Sequence, residues 1–389
     1  MIPRFQISRS WLIAAAVWVV TALAILPAIY HWPAAQPRLS RTQVANGIGY
    51  ALAVLICWLI YRAESKRLGR PYVLAVAFTV LFLTAVTNNV HSYYVDRVTN
   101  FIPYATNEQW QEILQNNVIN LNPVVIPHSY RFLPNALVRW LEIRHVSFRA
   151  AADLYRLEFG ILLFYAIYRF ARLYTTFAGG IITMALVAAI YPITLETYAG
   201  QLTDPMSHLS FVLAFLFLES DNFPLLLTTL VVGSLAKETV LALAGYYVLF
   251  GARTGRFGLK AVTLCAASLI SYFGVRQYVL HGAMGYQNIS GVDPNHILYN
   301  LLQDKRWPAV VLLTAFALLF FLVLSWKDTP RSLKRLYFYL LPVLFLSNLI
   351  FSWLVETRNF VPLVIVLAVI AARFCTQPES ELLPRTPSV

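Results

Sequence analysis

The sequence predicts an all-α fold, a polytopic helical membrane protein with about 12 transmembrane segments that include a pair of short half-helices. Three observations lead to this fold class. Of 389 residues, 59% are apolar and only 12% are charged, which is about half the charged fraction of soluble domains. Apolar runs of about 20 residues recur along the chain, and each is long enough to cross a hydrocarbon core as a helix. These runs are continuous rather than alternating, which disfavours a β-barrel.

The first apolar run begins at Trp11, after Arg4 and Arg9, and is longer than the apolar core of a signal peptide. We therefore interpret it as an uncleaved first helix. Two later segments, Phe223–Ser234 and Thr239–Phe250, are too short to span alone, and Lys237 and Glu238 stand between them. We expect a helical hairpin or two half-helices that re-enter from one side. The apolar segments lie at about 11–30, 46–61, 72–88, 152–168, 176–195, 206–218, 223–234, 239–250, 260–280, 308–326, 336–354 and 360–373.

Lysine and arginine are clustered in every second loop, and these loops are short. This pattern predicts the orientation of the protein in the membrane. With the N-terminus in the cytoplasm, the cytoplasmic loops are short and hold dense basic clusters, as the positive-inside rule requires. The protein is therefore expected in the cytoplasmic (inner) membrane with both termini in the cytoplasm. Loops 89–151 and 281–307 then lie outside. The basic clusters are Arg4 and Arg9, Arg62 to Arg70, Arg169 and Arg172, Arg253 to Lys260, and Lys327 to Arg335.

Residues 1–375 are expected to form a single integral membrane domain, and 376–389 a disordered cytoplasmic tail, because that tail is polar and proline-rich. The net charge of +12 follows from membrane topology, so nucleic acid is not an expected partner. The cysteines Cys57, Cys265 and Cys375 have no second cysteine or histidine at metal-ligand spacing. The sequence therefore supports neither a disulfide framework nor a zinc site.

The predicted outer loops contain amphipathic patterns. Thr106 and Gln109 form a capping box before Trp110 and Ile113, which predicts a helix on the membrane surface. Leu137, Trp140 and Leu141 suggest a second such helix. Asp293 followed by Pro294 predicts the start of a third. Helices of this kind either wall a cavity at the membrane surface or pack on lipid headgroups, and the sequence allows both.

Five polar groupings fall on the predicted outer side: Asp96-Arg97, Tyr130-Arg131, Asp204-Pro205, Lys237-Glu238 and Glu356-Thr357-Arg358. Most have an ordinary alternative. Asp204 before Pro205 is a common helix start, and Arg131 is able to extend toward headgroups. Lys237-Glu238 is the strongest candidate, because ionisable residues between apolar segments are costly and usually functional.

At these residues the chain resembles the GT-C superfamily of polytopic membrane glycosyltransferases, in its bacterial branch. The third segment runs into Asp96, which is similar to the acidic residue that opens the first large external loop of that superfamily. Tyr130-Arg131-Phe132-Leu133-Pro134 resembles a recurrent Tyr-Arg-x-Leu-x-Pro element. Leu235-Ala236-Lys237-Glu238 and Glu356-Thr357-Arg358 resemble two further superfamily elements. The resemblance covers about residues 75–370.

The resemblance implies a GT-C-like fold and a glycosyltransferase. Such an enzyme moves a hexosyl or pentosyl group from a polyprenyl-phosphate donor to an acceptor outside the membrane. Asp96 is then the catalytic base. Arg131, Lys237 and Arg358 hold the donor phosphate. Tyr94, Asp204, Glu238 and Glu356 position the substrate. Aromatic residues such as Tyr93, Tyr94 and Trp110 either stack on sugar faces or form an interfacial belt.

The expected partners are membrane lipid, a lipid-linked sugar donor, and a glycan, lipid or protein acceptor. No metal ligand is assigned, and the cofactor is unknown, with a divalent cation left open. Three other functions compete with the transferase: a transporter or flippase, an O-antigen-type polymerase and a non-enzymatic membrane scaffold. A transporter or flippase would use Lys237-Glu238 in a discontinuous helix pair, and an O-antigen-type polymerase would also handle lipid-linked glycans. A transporter needs polar residues that face both leaflets, whereas a transferase needs them on one.

Overall fold

The computed structural model describes residues 70–97, 107–120, 130–195, 201–251, 256–280, 297–303 and 305–376. All regular elements of these residues are helical. Two 3₁₀ turns lie at Glu238–Leu241 and Thr357–Phe360, and a π-helical turn lies at Tyr299–Gln303. The α-helices are α1 (Arg70–Arg97), α2 (Asn107–Ile119), α3 (Phe132–Glu142), α4 (Phe148–Ala171), α5 (Phe177–Leu195), α6 (Thr203–Glu219), α7 (Phe223–Ser234), α8 (Ala242–Phe250), α9 (Phe257–Leu280), α10 (Trp307–Leu313), α11 (Leu319–Leu324), α12 (Arg331–Phe351) and α13 (Val361–Thr376).

Four helical stretches of the described residues are long and apolar enough to cross a membrane: Pro71–His91, Phe257–Val275, Arg331–Phe351 and Thr357–Thr376. Shorter apolar helices accompany them. The all-helical, membrane-type architecture therefore agrees with the sequence, whereas the count of about 12 crossings stays a prediction. Backbone contacts divide the chain into Met1–Val44 and Ala45–Val389. The first two predicted segments and the tail after Thr376 lie outside the described residues.

The helix break predicted between the two short segments is present. α7 ends at Ser234, and Lys237 is extended, with φ −161° and ψ 123°, before the 3₁₀ turn begins at Glu238. The backbone N–H groups of Ala236 and Lys237 both donate to the carbonyl of Gly233. Gly233 packs so closely on Ser210 of α6 that an added Cβ would lie 2.7 Å from the serine Cβ. This close approach fixes the end of α7 against α6.

The segment expected as one helix over 308–326 is two short helices, α10 and α11, separated by a turn at 314–318. The hydroxyl of Thr314 donates to the carbonyl of Val310 at 2.8 Å. Such back-bonding by threonine slightly destabilises a helix and often bends it. The next backbone bond, from Phe316 N–H to the carbonyl of Val311, reaches back five residues, so the regular α-helical spacing is lost here.

α13 is the central helix of the bundle. Every residue from Val361 to Ala372 is buried, and all are apolar, so the helix is hydrophobic on every side as a fully enclosed helix must be. α5 and α12 pack against it. This stretch of α13 therefore contributes only apolar side chains to the core.

Helices are present, as α2 and α3, at two of the three places where the sequence predicts amphipathic helices, and their position on a membrane surface stays a prediction. In α3, Pro134, Asn135 and Val138 are buried, whereas Trp140 is 54% exposed and lies under the Arg144 guanidinium, 3.6 Å from the ring centre. Of the third, only 297–303 is described, as a short helical turn. Thr106, in the predicted capping box, lies outside the described residues.

One end of the bundle, called here the basic end, carries the basic residues of the short loops. The hydroxyls of Tyr174, which follows α4, and Ser332, in the first turn of α12, lie 3.1 Å apart. Arg373, near the end of α13, donates to the carbonyl of Tyr174 at 2.7 Å. The Lys260 ammonium lies 5.8 Å from the ring of Phe223, so the starts of α9 and α7 meet. The described basic residues at this end include Arg169, Arg172, Lys260, Arg331, Lys334, Arg335 and Arg373.

Candidate functional site

Six ionisable side chains come together at the opposite end of the bundle, and we call them the ion-pair cluster: Arg131, Asp204, Lys237, Glu238, Glu356 and Arg358. They stand at the start of α3, in the first turn of α6, in the break after α7, and just before α13. These four places are far apart in sequence and belong to four of the five polar groupings singled out above.

Asp204 is placed by the start of α6. One carboxylate oxygen, Oδ2, accepts a 2.8 Å hydrogen bond from the backbone N–H of Gln201, and the helix dipole favours a negative charge at this position. The ordinary interpretation as a helix-start residue is therefore correct in part. The same carboxylate also faces two cations, Lys237 at 3.8 Å and Arg358 at 3.7 Å.

The contacts of Asp204 with its two cations are too long for direct hydrogen bonds. Only 1% of Asp204 and of Arg358, and 5% of Lys237, is exposed. Buried charges persist only where they are compensated, so Asp204 acts as a shared counter-ion that holds the break after α7 against the start of α13.

Arg131 and Glu238 form a two-bond pair. Nη2 of Arg131 donates to Oε1 of Glu238 at 3.1 Å, and Nε donates to Oε2 at 3.4 Å. A backbone bond from Leu133 N–H to the carbonyl of Leu235 runs beside the pair at 3.1 Å. Together these bonds attach α3 to the helix break, which explains how a predicted surface helix brings an arginine into the cluster.

Glu356 and Arg358 pair within one turn. Nη2 of Arg358 donates to Oε2 of Glu356 at 2.8 Å, and the Ser352 hydroxyl donates to the same oxygen at 2.9 Å. The Arg358 guanidinium therefore lies between the carboxylates of Glu356 and Asp204. In this position it balances two acids.

An amide chain orients Lys237. The Asn359 side-chain N–H donates to Oδ1 of Asn348 at 2.7 Å, so the other atom of the Asn359 amide, Oδ1, is left to accept. It receives the ammonium of Lys237. An ammonium has only donors, so the amide presents the acceptor that Lys237 needs.

His208 supports the cluster from α6. Its Nε2 lies 2.9 Å from the carbonyl oxygen of Arg358. A carbonyl only accepts, so Nε2 carries a proton. Nδ1 lies 3.4 Å from the hydroxyl of Tyr191 on α5. This imidazole fixes the backbone just where Arg358 leaves it.

A cavity of about 250 Å³ opens beside the cluster. Arg131, Lys237, Glu238 and Glu356 all line it, with apolar residues of α12 such as Leu344 and Phe351 on the opposite wall. Asp204 and Arg358 are not among the lining residues. Arg358, expected as a phosphate ligand, is placed behind the cavity wall, where it compensates carboxylates. The other polar lining residues are Thr239, Tyr272, Ser347, Asn348, Ser352 and Asn359.

Tyr94 and Asp96 lie in the last turn of α1, which extends to Arg97. Their side chains are outside the described part of the structure. Trp110 lies on α2 and lines a small cavity with Gln201 and Thr203, at the start of α6. Within the described ranges, no three His, Cys, Asp or Glu side chains are grouped closely enough to hold a metal ion.

Sequence reasoning missed His208, Asn348, Ser352 and Asn359. His208, Asn348 and Ser352 are embedded in apolar stretches, and a polar residue inside an apolar span is a signal for a functional or cluster-forming position. Asn359 directly follows Arg358, and an uncharged amide next to a charged residue gives no separate signal in the sequence.

Comparison with known proteins finds no matching family model, no matching curated protein and no matching solved structure. The functional interpretation therefore rests on the ion-pair cluster and its cavity.

Proposed function

We propose that this protein is a membrane glycosyltransferase that moves a sugar from a polyprenyl-phosphate donor to an acceptor on the extracytoplasmic face. One observation carries the proposal. Arg131 and Lys237 line a single cavity together with the carboxylates Glu238 and Glu356. Transfer from a phosphate-linked sugar needs cations for the departing phosphate and carboxylates for sugar hydroxyls, in one place.

We infer the orientation from the charges at the two ends of the bundle. α12 is 21 residues long, about 30 Å at 1.5 Å per residue, which equals the thickness of a hydrocarbon core. Arg331 and Arg335 lie at its start, whereas Asn348 and Ser352, at its other end, line the cavity. The positive-inside rule assigns the basic end to the cytoplasm, and the cavity is then extracytoplasmic, in an inner membrane.

Donor phosphate binding is assigned to Arg131 and Lys237. Arg131 offers a planar fork that matches two phosphate oxygens, and Lys237 offers a point charge oriented by Asn359. Both have protein partners, Glu238 and Asn359, so phosphate binding would exchange one set of contacts for another. Arg358, behind the wall, is assigned to keeping Asp204 and Glu356 ionised and in position.

Asp96 is retained as the proposed general base for the acceptor hydroxyl. Glu238 and Glu356, on the cavity wall, are assigned to binding sugar hydroxyls, and Tyr94 to the sugar face. The polyprenyl chain would lie in the membrane beside the apolar wall of α12. The acceptor is a glycan, lipid or protein with a free hydroxyl.

The experiment is a transfer assay with purified protein, a radiolabelled polyprenyl-phosphate sugar, and binding of the same donor measured in parallel. Lys237→Ala should weaken donor binding and turnover together, because a phosphate contact acts in both the ground and transition states. Lys260→Ala is the matched control, since Lys260 also has an aspartate partner, Asp221, at 3.4 Å but stands at the basic end. Equal donor binding in wild type and Lys237→Ala would refute the assignment.

A lipid flippase is the second candidate, and one observation favours it. Val343 of α12 lines both the cavity beside the ion-pair cluster and a second cavity at the basic end, so the two cavities share one apolar wall residue near the middle of the helix. Liposomes with a fluorescent lipid-linked sugar in one leaflet separate the functions. A flippase moves the label without new product, a transferase makes a single-sugar product, and a polymerase makes a ladder of products.

A further inference from the structure

A second, larger cavity of about 540 Å³ lies at the basic end. Its walls come from the end of α8, the turn after α11 and the first half of α12. Arg331, Lys334 and Arg335 line one part. The rest is aromatic or aliphatic: Phe250, Trp326, Phe338, Tyr339, Pro342 and Val343. A volume of this size is typical of ligand sites.

The charge in this cavity is of one sign. No acidic side chain is among its lining residues, and within the described residues none of the three cations has a carboxylate within ion-pair distance. The nearby carboxylate of Glu219 faces Tyr174 and Ser332 instead. The three positive charges are therefore not compensated by this part of the chain.

Aromatic rings hold two of the cations in place. The ammonium of Lys334 lies 4.6 Å from the centre of the Trp326 ring and donates to the backbone carbonyl of Trp326. The guanidinium of Arg335 lies 5.6 Å from the ring centre of Phe250. These partners are neutral, so they orient the cations and leave the charge available to an anion.

The polar and apolar parts follow one another along α12. The cations occupy its first turns, and Phe338, Pro342 and Val343 continue toward the middle of a helix long enough to span the membrane. From Arg331 to Val343 the helix rises about 18 Å. A ligand that fits both parts has an anionic head and a hydrocarbon chain. Inorganic phosphate would use only the first part.

We propose that this cavity binds an anionic diacyl phospholipid of the leaflet at the basic end. The phosphate would contact Arg331, Lys334 and Arg335, and one acyl chain would lie against Phe338, Pro342 and Val343. Basic pockets between transmembrane helices on the cytoplasmic side recognise anionic headgroups in this way. This site is separate from the proposed transferase site and holds a structural or regulatory lipid.

The first test measures lipid affinity by native mass spectrometry of the full-length protein with phosphatidylglycerol, with phosphatidylcholine and with inorganic phosphate. Wild type should prefer phosphatidylglycerol. Arg331→Gln with Arg335→Gln should lower that affinity about 30-fold, at about one kcal/mol per basic residue near a membrane surface. The matched control, Arg256→Gln with Lys327→Gln, removes the same charge from exposed positions that do not line the cavity.

Equal loss in both double variants would reduce the effect to bulk charge and overturn the proposal. Equal affinity for phosphatidylcholine and phosphatidylglycerol would also overturn the proposal. Binding of inorganic phosphate without binding of phosphatidylglycerol would overturn it as well. A second measurement needs no charge variant. Phosphatidylglycerol with brominated acyl chains should quench the fluorescence of Trp326. The tryptophan fluorescence of the wild type should therefore show a quenched component that is lost in Trp326→Phe. Unchanged quenching in Trp326→Phe would place the lipid elsewhere.

Discussion

Arg131 and Glu238 are joined by two hydrogen bonds, of 3.1 and 3.4 Å, although 107 residues separate them in the chain. The pair is mostly buried, with 11% and 13% of the two side chains exposed. It is the contact through which a surface helix, α3, becomes part of the ion-pair cluster. Its energetic coupling is therefore the most direct check on the geometry of the site.

Arg131→Ala and Glu238→Ala should each destabilise the protein by about 3 kcal/mol, because each leaves a largely buried charge without its partner. The double variant should lose less than the sum of the two, with a coupling of about 1–3 kcal/mol. Denaturant unfolding in mixed micelles measures all three. Strictly additive losses would mean that the two side chains do not interact.

Asp204→Asn should be more damaging than its small change in shape suggests. The substitution keeps the size but leaves Lys237 and Arg358, both nearly fully buried, facing a neutral amide. We expect a loss of about 3 kcal/mol or more, read from the same unfolding assay. Asp221→Asn is the control, since its partner Lys260 is partly exposed, and such surface pairs contribute about 1 kcal/mol or less. Similar losses in the two variants would contradict the compensating role of Asp204.

Asp96→Asn should abolish transfer while donor binding stays largely intact. The amide keeps the size of the side chain and removes the base, and general base catalysis typically contributes about a hundredfold or more. Turnover and donor affinity are measured separately in the transfer assay. Full activity in Asp96→Asn would exclude Asp96 as the base. If Asp96→Asn were fully active and Glu238→Gln were inactive, the role of general base would belong to Glu238 on the cavity wall.

Gly245→Ala tests the packing of α8 on α12. An added Cβ would lie 2.5 Å from the hydroxyl of Tyr339, and that hydroxyl donates to the carbonyl of Ala242 at 2.6 Å, so it is not free to move aside. We expect a loss of about 1–3 kcal/mol, largely relieved when Tyr339→Phe is also present. Gly274→Ala, with open space around its Cβ position, should be neutral or stabilising. A Gly245→Ala protein as stable as wild type would contradict the close approach.

Reporter fusions test the orientation. A reporter after Asn120 should give an external signal, and reporters after Thr254 and Asp328 should give cytoplasmic signals, because the basic clusters are retained inside. A cytoplasmic signal at Asn120, or an external one at Asp328, would reverse the membrane sidedness and with it the proposed extracytoplasmic site.

The break after α7 and the grouping of Arg131, Lys237 and Glu356 at one end were predictable from sequence. Two apolar stretches too short to cross a membrane, with Lys237-Glu238 between them, leave little choice of structure. Basic loops then fix which polar groups share a side. Both arguments use length and charge, which do not depend on packing detail.

The division of roles inside the cluster was not predictable. Arg131 and Arg358 both lie just before the start of a helix, α3 and α13 respectively. Nevertheless, Arg131 lines the cavity whereas Arg358 lies behind its wall. Only the tertiary packing of α13 against α5 and α6 decides this. The turn at 314–318 was also hidden, because no glycine or proline marks it, and a single threonine hydroxyl is a weak signal against an apolar run.

Under the proposed function, the ion-pair cluster has a consequence for how a lipid-linked donor would arrive. Arg131, Lys237 and Arg358 contribute three positive charges, and Asp204, Glu238 and Glu356 contribute three negative ones, so the sum is zero. A neutral site exerts little long-range attraction on an anion in solution. A donor anchored in the bilayer has no need of that attraction, since lateral diffusion in two dimensions carries its headgroup past the cavity mouth at fixed depth. Recognition then begins only at contact range, where the donor phosphate would replace the protein partners of Arg131 and Lys237.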